Sequence, residues 1–178
     1  MSRIGKEPVK LVEGVTASVE GQKVTVKGKL GELSYTMHDG ITAKVEAGEV
    51  RVACDDDKAH GNFHGLARAL IHNMVVGVSQ GYQKQLSIEG TGFKAVLKGK
   101  ELALSLGFAS PKVYAIPEGI EVTVENEGLQ VTVKGIDKDK VGEAAARIRA
   151  YYPAEPYKGK GIKYVGEHIR RKQGKKVA

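Results

Sequence analysis

Near its end the chain runs Pro153-Ala154-Glu155-Pro156-Tyr157-Lys158-Gly159-Lys160-Gly161-Ile162-Lys163-Tyr164, then Arg170-Arg171-Lys172-Gln173-Gly174-Lys175-Lys176. Lys158, Lys160 and Lys163 are point charges suited to phosphate, and Arg170, Arg171, Lys172, Lys175 and Lys176 extend the cationic run. Gly159 and Gly161 lack side chains, so backbone N–H groups can approach a phosphate closely. Tyr157 and Tyr164 add flat rings that pack on a sugar or stack on a base. The prolines stiffen the segment and lower the entropy lost on docking. A membrane-binding tail would set Lys or Arg opposite a greasy helical face. Glycine, proline and tyrosine form no such face, which favours structured nucleic acid over lipid.

Other residue sets point to chemistry less well. Gly90-Thr91-Gly92-Phe93-Lys94-Ala95 matches the dinucleotide pattern G-x-G-x-x-A. That chemistry needs a helix N-terminus directly after the glycines. Here Lys94 to Leu106 reads as strands, so the motif is a glycine-rich turn with Lys94 at its edge. His60 and His64 have the H-x3-H spacing of a metal pair on a helix. Arg68 and His72 continue that stripe, however, and a guanidinium repels a divalent cation. The trio Asp55-Asp56-Asp57 could supply oxygen ligands, but consecutive loop carboxylates are usually solvated. The stripe then reads as a polar helix face, partly exposed and available to RNA. Cys54 shares a strand face with Val50 and Val52 and reads as a core thiol. No Ser-His-Asp set or paired-carboxylate signature stands out. No catalytic, cofactor or metal residue is assigned.

The elements that must position the cationic segment follow from the rest of the chain. Its 178 residues fit one large domain or two small ones. From Met1 to Ala146 there are 18 Lys+Arg against 19 Asp+Glu; from Arg147 to Ala178 there are 10 against 2. The net +7 therefore sits wholly in the last 32 residues. A neutral body with a basic end suits a polyanion, whether nucleic acid, anionic membrane or acidic protein. No apolar run approaches the ~18 residues of a membrane span. The start lacks the apolar run of a signal peptide. One cysteine forms no internal disulfide, as suits a reducing cytosol.

The chain also repeats itself. Gly40-Ile41, Val45-Glu46 and Val52 recur as Gly119-Ile120, Val124-Glu125 and Val131, at an offset of 79. Ala67-Arg68 recurs as Ala146-Arg147 at the same offset. At an offset of 78, Gly21, Val24 and Val26 become Gly99, Leu102 and Leu104. Each copy opens with period-two strands: Val15-Ala17-Val19, Val24-Val26 and Val50-Val52-Cys54 in the first. The second has Leu86-Ile88, Leu102-Leu104-Leu106, Ile120-Val122-Val124 and Leu129-Val131-Val133. Glu20-Gly21-Gln22, Ala47-Gly48-Glu49 and Asn126-Glu127-Gly128 read as turns. Each copy ends in a helix. Phe63, Leu66, Ala67, Leu70, Met74 and Val78 form the first stripe, with Gly81 as its stop. Val141, Ala145, Ile148 and Tyr152 form the second, capped by Asp137 or Asp139 and ended by Pro153. The expected fold is α+β: two tandem copies of a small domain, each an antiparallel sheet covered by a helix, plus a basic C-terminal extension. The expected boundaries are 1–81, 82–152 and 153–178.

Several segments together resemble the bacterial large-subunit ribosomal protein L-six family over nearly the whole chain. They are Ser2-Arg3-Ile4-Gly5-Lys6, Arg68-Ala69-Leu70, Asn73-Met74-Val75, Gly92-Phe93-Lys94-Ala95, Leu106-Gly107-Phe108 and Val141-Gly142-Glu143-Ala144-Ala145. The most specific is Glu155-Pro156-Tyr157-Lys158-Gly159-Lys160-Gly161-Ile162. Tyr151-Tyr152 departs from a position that is often basic in the family, and Ala154 from a frequent second proline. The resemblance implies a non-catalytic, cofactor-free constituent of the large ribosomal subunit in the cytoplasm. It implies binding to large-subunit (23S-type) rRNA, chiefly through the second domain and tail. It also implies a place at the stalk base near the sarcin–ricin loop, with other ribosomal proteins and translation factors as neighbours. The first domain would be a spacer and packing surface. Gly159→Val and Gly161→Val would then weaken RNA binding without removing charge. The rivals are a free-standing RNA-binding regulator or assembly chaperone, and a small metal- or nucleotide-dependent enzyme using His60, His64 and the acidic trio.

Overall fold

The computed structural model describes residues 3–175. Two compact units make up the chain. One is the chain through Tyr82 together with Ile136–Lys138; the other is Gln83–Gly135 with the chain from Asp139 onward.

The first unit opens with a one-turn helix, α1 (Arg3–Lys6), and a short strand, β1 (Val9–Lys10). Then follow β2 (Thr16–Glu20), β3 (Lys23–Gly28), β4 (Gly31–Thr36), β5 (Ile41–Glu46), β6 (Glu49–Cys54) and a long helix, α2 (Asp57–Ser79). The strands form two three-stranded antiparallel sheets, in the orders β2-β3-β4 and β1-β6-β5. Val24 and Val26 are fully buried on one face of β3, as alternation demands. Ala47 and Gly48 both take positive φ, 48° and 79°, which matches the two-residue hairpin turn between β5 and β6.

Helix α2 packs on β3, β4, β5 and β6. Asp56 caps its start by accepting a hydrogen bond from the Lys58 N–H at 2.9 Å. Gly81 ends it with a φ of 76° and an N–H bond to the Gly77 carbonyl. Its buried stripe is displaced from the expected one. Ala67, Ile71, Met74, Val75 and Val78 are buried, while Leu66 is 47 % exposed. The helix turns its face so that the β-branched run enters the core, and this draws His64 in as well.

The second unit repeats the plan with β7 (Tyr82–Glu89), β8 (Lys94–Lys98), β9 (Glu101–Ser105), β10 (Lys112–Ala115), β11 (Ile120–Glu125), β12 (Gln130–Gly135) and α3 (Lys138–Ala150). A last strand, β13 (Gly161–Tyr164), follows. Its sheets run β10-β9-β8 and β11-β12-β7-β13. The order β8-β9-β10 answers β2-β3-β4, and β7-β12-β11 answers β1-β6-β5. Gly40 and Gly119, matched in the repeat, hold φ of 81° and 84° directly before β5 and β11. The repeat in sequence is thus a repeat in structure. Each copy divides its strands between two sheets rather than one.

Helix α3 buries Val141, Ala144, Ala145 and Ile148. Asp137 stands directly before it and Asp139 lies in its first turn. The glycine-rich stretch Gly90–Gly92 is a connection between β7 and β8, as the sequence predicts, and no helix follows it. Strand β13 is the addition of the second copy. It lies within the basic extension, and among the described residues the first copy has no counterpart.

Candidate nucleic-acid interface

The basic segment is built onto the second unit by backbone bonds. Ile162 donates to the Tyr152 carbonyl at 2.8 Å, and Ile162 and Pro153 form a parallel bridge. Between them the chain makes a tight loop. The Gly159 N–H donates to the Glu155 carbonyl at 3.1 Å, and the Glu155 N–H to the Lys160 carbonyl at 2.9 Å. Past the loop, Gly161, Ile162, Lys163 and Tyr164 pair antiparallel with Glu89, Ile88, Ser87 and Leu86 of β7. The chain then returns, and the Lys172 N–H donates to the Pro156 carbonyl at 2.8 Å. The loop therefore carries Tyr157 and Lys158 outward while Arg171 and Lys172 lie against it.

The cationic residues fall into two groups. Lys158, Arg170, Arg171, Lys172 and Lys175 are exposed and Lys160 is half-buried. None of these six is ion-paired among the described residues. Lys163 instead pairs with Glu89 at 2.5 Å, so its charge is largely neutralised within the sheet. Lys176 lies outside the described residues. Lys94 is exposed at the start of β8, opposite Ser105, in the other sheet of the unit.

The two glycines are called for by the loop's own backbone. Both are buried. Gly159 holds φ at 75°, and its N–H is already taken by Glu155. A Cβ on Gly161 would stand 2.7 Å from the Ala154 Cα and the Pro153 carbonyl oxygen. Gly161 is thus required by its own chain. The tyrosines also differ from each other. Tyr157 is 56 % exposed, a ring free to meet a ligand. Tyr164 is half-buried, with Lys84 Nζ and Arg149 Cζ each 5.8 Å from its ring centre.

Sequence reasoning missed the clamp behind this surface. Two guanidinium nitrogens of Arg149, at the end of α3, reach the Glu167 carboxylate: Nε at 3.1 Å and Nη2 in a still shorter contact. The Tyr164 N–H also donates to Glu167, at 2.9 Å. The Arg149 hydrogen bond, with help from that backbone N–H, holds the Glu167 carboxyl below the usual carboxylate range; burial opposes them. The available signal was scarcity. Glu155 and Glu167 are the sole acids among the last 32 residues, and a lone carboxylate in a cationic run needs a structural reason. A recess of about 300 Å³ beside the clamp is lined by Glu89, Gly159, Lys163, Glu167, His168 and Arg171. Both of its carboxylates are already paired, Glu89 with Lys163 and Glu167 with Arg149, whereas Arg171 on the same lining has no ion-pair partner among the described residues.

Among the described residues the alternative sites do not assemble, and the Asp57 side chain of the acidic trio lies outside them. His64 is 5 % exposed, bonds through Nε2 to the Val52 carbonyl at 3.0 Å, and packs its ring against Gly5. It belongs to the core and not to an exposed polar face. Arg68 Nε donates to the Glu7 carbonyl at 3.2 Å and so ties down the α1–β1 connection. His60 lies near His38, with ring centres 5.7 Å apart. Among the described residues no group of three or more His, Cys, Asp or Glu is placed to hold a metal ion. Cys54 is half-buried against the first core, and its thiol donates to the Asp56 carbonyl at 3.3 Å. No helix among the described residues is long and apolar enough to cross a membrane.

Comparison with known proteins gives one consistent answer. A family model described as Ribosomal protein L6 matches residues 12–81 and 89–165, one segment per copy. A protein of Magnetococcus marinus named large ribosomal subunit protein uL6 is 54 % identical over 99 % of both chains. Proteins of the same name from Bradyrhizobium sp. and Brucella canis are 51 % and 52 % identical over the same share. These relatives are named as ribosomal proteins and not as enzymes. With both copies matched and similarity running end to end, the chain belongs to the ribosomal protein L6 family.

Proposed function

We propose that this chain is a structural constituent of the large ribosomal subunit that binds large-subunit rRNA and catalyses nothing. Its contact surface is the ordered loop with Tyr157, Lys158 and Lys160, together with Arg170, Arg171, Lys172, Lys175 and Lys176. Lys94 is a further contact from the same unit, and Gly159 and Gly161 shape the loop. Lys163 and Tyr164 support it from the sheet. The first unit, whose stretch of chain is close to neutral, serves as spacer and packing surface. The subunit position is the base of the stalk near the sarcin–ricin loop, among other ribosomal proteins and beside the path of translation factors, in the cytoplasm.

The observation that carries this reading is the loop itself. The loop, closed by backbone bonds at both ends, presents the exposed Tyr157 with Lys158 and Lys160, and the segment 170–175 that returns to it at Lys172 adds four more cations; none of the six is ion-paired among the described residues. A pinned cationic surface loses little entropy on meeting phosphate. It selects a folded RNA by shape rather than by reading base edges. The relatives' printed names give the subunit. Sedimentation tests the assignment. The chain should remain with large subunits through a high-salt wash and protect defined nucleotides of their rRNA. Release by the wash would assign it instead to a transient regulator or assembly chaperone.

A further inference from the structure

A second aromatic group forms where Tyr152, at the foot of the cationic loop, meets Phe93 just before β8 and Phe108 in the β9–β10 connection. Tyr152 meets Phe93 edge-on, with centres 5.2 Å apart and planes at 74°. It meets Phe108 in the same manner, at 5.8 Å and 61°. Such edge contacts fix ring orientation. Two glycines make room: a Cβ on Gly90 would fall 2.6 Å from the Phe93 ring, and one on Gly107 3.2 Å from it. Phe93 and Tyr152 are half-buried by this packing, whereas Phe108 stays 45 % exposed. The Lys112 ammonium stands 5.3 Å from the Phe108 ring centre. Lys94, opposite Ser105, and Lys112, opposite Leu104, lie at the same end of the sheet as Phe108, while Lys98 and Lys100 lie at the far β8–β9 turn. An exposed ring held rigid from behind, with the Lys112 ammonium over it and Lys94 at the same end of the sheet, combines an aromatic surface with phosphate-binding cations.

We infer that Phe108 is a stacking platform for an unpaired base of bound RNA, with Lys112 and Lys94 taking the adjoining phosphates. The local excess of cations selects a polyanion with planar groups over a protein surface. The inference rests on the RNA-binding reading and adds to it a second contact that works through the base.

The chain has no tryptophan, so Phe108→Trp places a single reporter on the platform. Its emission should be quenched by large-subunit rRNA and by an oligoadenylate of about twelve nucleotides, but not by inorganic polyphosphate. Phe108→Leu keeps apolar packing and removes the ring. With circular dichroism unchanged, it should weaken rRNA binding about five- to hundredfold and leave the salt dependence as it was. An unquenched indole in the Phe108→Trp variant on bound rRNA, quenching by polyphosphate, or parental affinity in Phe108→Leu would each overturn the platform while RNA binding stands. Failure of the parent chain to bind rRNA would overturn both readings.

Discussion

Ile162 sits opposite Ile88 in the β13–β7 ladder, and both are almost wholly excluded from solvent. The pairing puts a core residue in the middle of the most cationic stretch of the chain. The extension is therefore part of the second unit's packing, and the loop before it inherits that rigidity.

Removing the strand should damage the unit itself. A chain ending at Ala150 loses Ile162 and exposes the edge of β7, so the second unit should melt early while the first keeps its cooperative transition. Ile162→Ala alone should cost about 2–5 kcal/mol. Differential scanning calorimetry of the full chain and both variants checks this. Unchanged melting of the second unit would mean that β13 is not integral to it.

The two loop glycines should separate cleanly. Gly161→Val drives a Cβ into the Ala154 and Pro153 backbone and should cost about 3 kcal/mol or more. Gly159→Ala has only the movable Arg171 guanidinium nearby, at 3.3 Å. Its penalty is the left-handed backbone, about 1–2 kcal/mol. Urea unfolding distinguishes them. Equal and small losses would remove the packing role assigned to Gly161.

The lysines should not be equivalent in RNA binding. Lys158→Gln and Lys160→Gln should each reduce the salt slope of rRNA affinity by about 0.7–0.9. Lys163→Gln should change it little, because Glu89 already holds that ammonium. Filter-binding titrations between about 50 and 200 mM salt give the three slopes, and an equal loss at Lys163 would contradict the pairing.

Much of this was legible beforehand, and the failures have physical causes. The duplicated strands were visible because valine and leucine alternate on one wet and one dry face, as at Val24 and Val26 or Leu102 and Leu104. Strand β13 was not, because its four residues offer only Ile162 and Tyr164 at period two, between glycine and lysine in a cationic run. Leu66 and Ile71 lie on neighbouring stripes of α2. Spacing alone could not decide which faced the core, since His64 joins that face only through the Val52 carbonyl. The packing role of Gly161 was not legible, because the backbone it must clear, at Pro153 and Ala154, arrives by tertiary packing.

The Arg149–Glu167 clamp sets a pH dependence. Its hydrogen bonds lower the Glu167 pKa in the folded chain. The stabilisation is therefore present above the ordinary carboxylate pKa of about 4.3 and is lost as pH falls through the lowered folded value. Arg149 stays charged throughout, its pKa raised chiefly by the bond to Glu167. The stability gap between the parent and Glu167→Gln should be on the order of 1 kcal/mol near neutrality and should close in acid. A gap independent of pH would show that the Glu167 charge contributes nothing.

The most direct test of the account is crosslinking mass spectrometry on large subunits that carry this chain. Crosslinks from rRNA should concentrate at Tyr157–Lys160 and at Arg170–Lys175. Crosslinks confined to the first unit, with that loop and the basic end untouched, would contradict it.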